Sequence, residues 1–274
     1  MQMSLEWLAI GREADLAVQQ LSSGITALGI AHHAKPGLYT QAFFGLSVGI
    51  ERTAKLIIIA DYLIENAGKF PSNLELRKYR HNLEALLDHC DSLSEKYRKG
   101  KESWERPNDA IHRAIISTLS EFSTLTRYYN LDFLSGGEAS KHVDPVKAWW
   151  EDVGLRILDR HFSANKRKRL KEQSLELSKA SEATVSVRFQ AEDGSWILNL
   201  GSLMIKSAET EVVQRYGRLY TLQIVRWLSW LVYDLSHLGA DKRRIEPLYG
   251  LHELFVQFMQ EDQTLRTRKR WPLV

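Results

Sequence analysis

The chain has 274 residues, which fits one large domain or two smaller ones at roughly 100–200 residues each. Hydrophobic residues at 44% and charged residues at 26% exclude a disordered tail or a fibre, and 16 glycines with 6 prolines are too few for an all-β protein with many tight turns. The net charge of +3 is too mild to mark a dedicated nucleic-acid binder, so only local clustering of charge is informative.

The opening Met1–Trp7 shows no basic stretch followed by an apolar one, so no secretion signal is expected. The first apolar run, with Trp7, Ile10, Ala14, Ala17, Val18, Leu21, Ile25 and Leu28, steps by threes and fours and predicts one helix stripe. The second, about 38–66, is apolar nearly all round and reads as a central core helix. Its Phe43–Ile64 stretch carries Glu51, Arg52, Lys55 and Asp61, which argues against a membrane span. Ser72–Glu75 reads as a capping box that opens a third helix, about 73–99, with Leu76, Tyr79, Leu83, Leu86, Leu87, Leu93 and Tyr97. The lone Cys90 can form no internal disulfide and fits a reducing compartment, so the expected location is cytoplasmic.

A fourth helix, about 108–134, carries Ile111, Ile115, Leu119, Phe122, Leu125, Tyr129 and Phe133 and ends at Gly136-Gly137. Four such helices with short connections predict a bundle over 1–137. Asp144-Pro145 marks a new helix start, followed by a stripe of Val146, Trp149, Trp150, Val153 and Ile157. Lys166, Arg167, Lys168, Arg169 and Lys171 then form the densest basic run of the chain. Alternation at Val185, Val187 and Phe189, an Asp193-Gly194 turn, and alternation at Trp196, Leu198 and Leu200 predict a β-hairpin near 184–200. Helices at about 204–238 and 247–263 and a basic tail, Arg266–Trp271, close the chain. Leu219–Leu238 contains Arg226 and Asp234, which also argues against a membrane span. The expected fold class is mainly α: an N-terminal helical bundle packed against a C-terminal helical region, 138–274, with a small hairpin. Large apolar faces on both halves leave one continuous domain open, and an apolar helix such as 219–238 offers a dimer face.

No Gly-rich phosphate loop, His-Glu-x-x-His helix, Cys-x-x-Cys or Gly-x-Ser-x-Gly elbow is present, so neither a metal nor a cofactor is expected. The nine histidines show no tight ligand spacing and read mainly as surface or helix-end residues. The basic run reads either as a solvated helix face or as a contact to a phosphate backbone, and the basic tail with Trp271 reads the same two ways. Trp227 and Trp230 read as core. Glu51 and Lys55 are spaced i, i+4 in an otherwise apolar helix, so at least partial burial of that pair is expected.

The stretch Gly45–Leu56, with Glu51 and Lys55 in an apolar run, and the stretch Tyr79-Arg80-His81-Asn82-Leu83-Glu84-Ala85-Leu86-Leu87 together resemble the HEPN superfamily of prokaryotic helical domains, over about residues 5–134. Asn82 stands where an aspartate is more usual. The resemblance implies a metal-independent ribonuclease, or an effector derived from one, in toxin–antitoxin or anti-phage systems. It also implies RNA as substrate, a homodimer, and an antitoxin or defence partner. The family's mark is an arginine and a histidine separated by four to six residues. The histidine moves the 2′-hydroxyl proton and the arginine stabilises charge on the phosphate. Two stretches match: Arg106/His112, with Pro107 in the slot that is usually polar, and Arg156/His161, with Ile157 there. Arg127–Asp132 looks like a motif without an assigned role. The alternative is a non-catalytic helical module that binds nucleic acid or a partner protein. A small-molecule enzyme has no residue constellation behind it.

Overall fold

The computed structural model describes residues 3–79, 81–98, 105–181 and 185–273. Arg80, Lys99 and Thr184 of the predicted motif, third helix and hairpin lie outside the described residues, as does the side chain of Leu76. The fold is mainly α with one two-stranded antiparallel hairpin, and no helix among the described residues is long and apolar enough to cross a membrane.

Helices α1 (Leu5–Leu28) and α2 (Gly37–Glu65) form where the first two apolar runs predict them. They lie unusually close because small residues face each other: a Cβ on Gly45 would come within 2.8 Å of the Gln20 carbonyl oxygen and 2.9 Å of the Gly24 Cα. The third predicted helix is two, α3 (Asn73–Arg77) and α4 (Leu83–Arg98). Ser72 caps α3 in the predicted box with Glu75, and Asn82 starts α4 anew by accepting the Ala85 N–H at 3.0 Å. The fourth is also divided, into α5 (Ala110–Glu121), a π-helical stretch Phe122–Thr126, and α6 (Tyr129–Ser135). At the break, the hydroxyls of Ser123 and Thr124 donate to the Ser120 carbonyl at 2.8 and 2.9 Å. They compete with the helical N–H for that acceptor and widen the turn.

Asp144 caps α7 (Pro145–Trp149), accepting from the Val146 and Lys147 N–H groups as its Asp-Pro start predicts. A π stretch, Trp150–Gly154, leads into α8 (Leu155–His161), and α9 (Ala164–Ser181) carries the basic run. The hairpin is shorter than its alternation predicts: β1 (Phe189–Gln190) pairs with β2 (Trp196–Ile197) in the register Phe189↔Ile197. It stops there because the Asn199 side chain caps α10 (Leu200–His237) at the Ser202 N–H. At 38 residues, α10 is about 57 Å long. The last predicted helix is instead a 3₁₀ stretch, Leu251–Phe258, opened by Gly250 at φ +72°, and a short α11 (Asp262–Thr267).

One contiguous core runs from Ile10 to Trp271 and draws on both halves of the chain. Trp149, fully buried, joins them: its ring lies 5.3 Å from that of Phe43 on α2, and a Cβ on Gly217 of α10 would come within 3.2 Å of it. A satellite cluster of Val187, Ala191 and Ile197 seats the hairpin on Leu200 and Leu203 of α10.

Candidate nucleic-acid interface

Helix α9 begins at Ser163, whose hydroxyl accepts the Lys166 N–H at 3.4 Å, and is composed largely of long-chain helix formers. Its contact with α10 is close: a Cβ on Gly201 would overlap the Ser174 carbonyl and the Ser178 hydroxyl. Lys166, Lys168, Arg169 and Lys171 are exposed. None of the four is within ion-pair distance of a carboxylate among the described residues. Glu172 and Glu176 follow, so the positive charge is concentrated in the first two turns, where the helix dipole is also positive. Arg167 is different. It turns inward, donating to the Leu158 carbonyl and lying 5.4 Å from the Phe162 ring centroid.

At the C-terminal end of α8, the rings of His161 and Tyr216 stack at 3.6 Å, and His161 Nε2 pairs with the Tyr220 hydroxyl at 2.9 Å. Arg160 donates to the same hydroxyl at 3.1 Å and to the Asp109 carboxylate at 2.6 Å. The Arg266 guanidinium lies 5.9 Å from the Tyr216 ring centroid. Burial lowers the His161 pKa below the ordinary histidine value, with Arg160 and Arg266 adding to the shift, so the ring is neutral near pH 7.

The predicted pairs are not brought together by any hydrogen bond or ion pair among the described residues. Arg106 binds Asp88 at 2.6 Å and lies 5.8 Å from the Trp227 ring centroid. His112 is 6% exposed and caps α5: its Nδ1 accepts the Asp109 N–H at 3.4 Å, and its Nε2 pairs with Gln223 Oε1 at 2.8 Å. Both ring nitrogens are committed to the fold, which leaves neither for substrate. Arg156 bends back to the Asp152 carbonyl and stands 3.5 Å from its carboxylate, away from His161. The arginine beside His161 in space is Arg160, its neighbour in sequence.

Glu51 and Lys55 form the half-buried pair expected, at 2.6 Å, and Glu51 also meets His81 Nδ1 at 3.0 Å. The two stretches that carry the HEPN resemblance therefore touch. Trp271 is core, stacked on Phe258 at 5.6 Å, and offers no platform to a base. Trp227 is buried as expected. The residues that sequence reading passed over are Arg160, Tyr216 and Tyr220, while Arg266 belongs to the basic tail that it had marked. Tyr216 and Tyr220 do share one face of α10 at i, i+4, but nothing in the sequence tells that His161 lies against it.

The buried His112 makes stability depend on pH. Burial lowers its pKa, with Arg160 adding to the fall and Gln223 and Asp109 opposing it. The unfolded chain therefore takes up the proton at about 6.5, before the folded one does. The contribution is fully present above that pH and is lost as pH falls towards the folded value. Between pH 7.5 and 5, the thermal midpoint of the wild type should fall more than that of His112→Gln, measured by circular dichroism. Equal falls would show that His112 does not carry the effect.

Compared with protein-family models, with curated proteins and with solved structures, the chain matches none of them.

Proposed function

We propose that this chain is a HEPN-like RNA-binding protein that holds the phosphate backbone on the first two turns of α9. One observation carries the reading: Lys166, Lys168, Arg169 and Lys171 are exposed, closely spaced and free of ion pairs among the described residues. Four unneutralised cations at the positive end of a helix dipole attract a polyanion. The contact of Glu51 with Lys55 and His81 supports the HEPN-like reading of the first half. That reading carries with it a cytoplasmic protein, a homodimer and a defence or antitoxin partner. The test is fluorescence anisotropy with a labelled single-stranded RNA. Saturable binding that Lys168→Glu weakens supports the proposal, and binding indifferent to that reversal removes it.

A second reading, metal-independent cleavage, is favoured by the Arg160–His161 arrangement. Tyr220 holds Nε2 of His161, which leaves Nδ1 to take the 2′-hydroxyl proton. The 2′-oxygen then attacks the adjacent phosphorus to form a 2′,3′-cyclic phosphate, the 5′-oxygen leaves as a hydroxyl with a proton taken from water, and Arg160, nearly half exposed, faces the charged phosphate oxygens. His161→Ala should abolish cleavage, leave binding intact, and differ from a chelator, which should have no effect. Cleavage that persists in His161→Ala contradicts this reading and leaves the binding proposal standing.

A further inference from the structure

A cleft of about 850 Å³ opens between the hairpin turn, the start of α2 and the α6–α7 region, on side chains that the RNA-binding reading does not use. Its floor includes Glu192 and His33. The Glu192 side chain is fully buried and that of His33 is 6% exposed. Glu192 Oε1 accepts two hydrogen bonds, from the Tyr39 hydroxyl at 3.1 Å and the Thr210 hydroxyl at 3.2 Å. Burial and the Glu192 charge hold the Tyr39 pKa well above the ordinary tyrosine value, so Tyr39 stays protonated as a donor. Glu192 Oε2 accepts none among the described residues. His33 Nδ1 stands 4.0 Å from it and is itself without a hydrogen-bond partner among the described residues.

A buried carboxylate without a cation is costly, and the neighbouring lysines do not supply one. Lys206 is committed to Asp193 at 2.5 Å and stands 3.8 Å from Glu209. Lys147, on the rim, turns to Glu151 at 3.7 Å. The Asp144 carboxylate, also on the rim, is half spent on capping α7. Part of the lining is aromatic. Tyr129 and Phe133 are spaced i, i+4 on α6 and stack on each other at 6.4 Å, with Phe133 67% exposed. Tyr129 and Asn130 belong to the Arg127–Asp132 segment whose role the sequence left unassigned.

We infer that this cleft binds a small organic ammonium ion, its charge set over the buried Glu192 and its apolar body lying against Tyr129 and Phe133. The charge of a primary ammonium offsets that of Glu192, and aromatic faces attract cations. A water molecule would supply the hydrogen bonds without the charge. Among the described residues no three His, Cys, Asp or Glu side chains are grouped to hold a metal ion, which favours an organic cation over a metal.

The probe is phenethylammonium at neutral pH, with 2-phenylethanol as its uncharged counterpart, measured by calorimetry and thermal shift on the whole chain. The amine should bind and raise the midpoint by mass action, and the alcohol should bind at least tenfold more weakly. Glu192→Gln should reduce amine affinity at least tenfold. Because that variant alters a buried group, Phe133→Ala serves as an exposed control. It should keep the wild-type midpoint and still weaken the amine several-fold. Equal binding of amine and alcohol, no binding of the amine, or wild-type affinity in both variants would overturn the inference. None of these results bears on RNA binding by α9.

Discussion

Trp149→Ala should lower the unfolding free energy by about 3–5 kcal/mol and keep unfolding in one transition. The side chain is fully buried, so its removal leaves a cavity that close-packed neighbours fill only in part. Its ring meets Phe43 of α2 on one side and Gly217 of α10 on the other. Those helices come from opposite halves of the chain, and the core between them is contiguous. The indole nitrogen has no hydrogen-bond partner among the described residues, so the loss is one of packing. Urea unfolding followed by circular dichroism and by tryptophan fluorescence checks this. Two separate transitions, or a loss under about 1 kcal/mol, lower than large-to-small core changes give, would show that the halves do not depend on this contact.

Replacing Lys166, Lys168, Arg169 and Lys171 together with alanine should lower RNA affinity by roughly 4 × 10³-fold at 50 mM salt. The estimate takes four phosphate contacts to a single strand, each adding about 0.7 to the slope of log affinity against log salt. Stability should move by less than about 0.5 kcal/mol per site, as surface changes away from buried features do, because all four side chains are exposed. Arg167→Ala should behave in the opposite way. Its guanidinium is tucked against the Leu158 carbonyl and the Phe162 ring, so it should cost stability and leave RNA affinity nearly unchanged. Reading four of the five basic residues as contacts and the fifth as packing is therefore separable by experiment.

Much of the helical framework was legible because its signals are local. The stripes of α1 and α2, the Ser72–Glu75 box and the Asp144-Pro145 start each depend on residues within a few positions. The breaks were not, because the stripe of α4 continues that of α3 in phase, and the hydroxyls of Ser123 and Thr124 leave the apolar pattern of α5 and α6 unchanged. The hairpin shrank for a similar reason, since Asn199 serves the cap of α10 rather than the strand. Of the candidate site, the charge of α9 could be read directly. The arginine–histidine spacings could not be judged, because what decides them is who else is near. Asp88 holds Arg106, Gln223 and Asp109 hold His112, and Tyr216 and Tyr220 come to His161 from about 60 residues away. Glu192 looks like an ordinary turn residue beside Asp193-Gly194, and only the packing of Tyr39 and Thr210 around it shows that it is buried.

The most direct test of the account is the affinity of the wild-type chain for a labelled single-stranded RNA between 50 and 200 mM KCl. Four phosphate contacts on α9 predict a fall of about fifty-fold over that range, a slope near −3 on logarithmic axes, and a nearly flat line for the four-alanine variant. A wild-type affinity that does not change with salt, or a slope that the four substitutions leave intact, would contradict it.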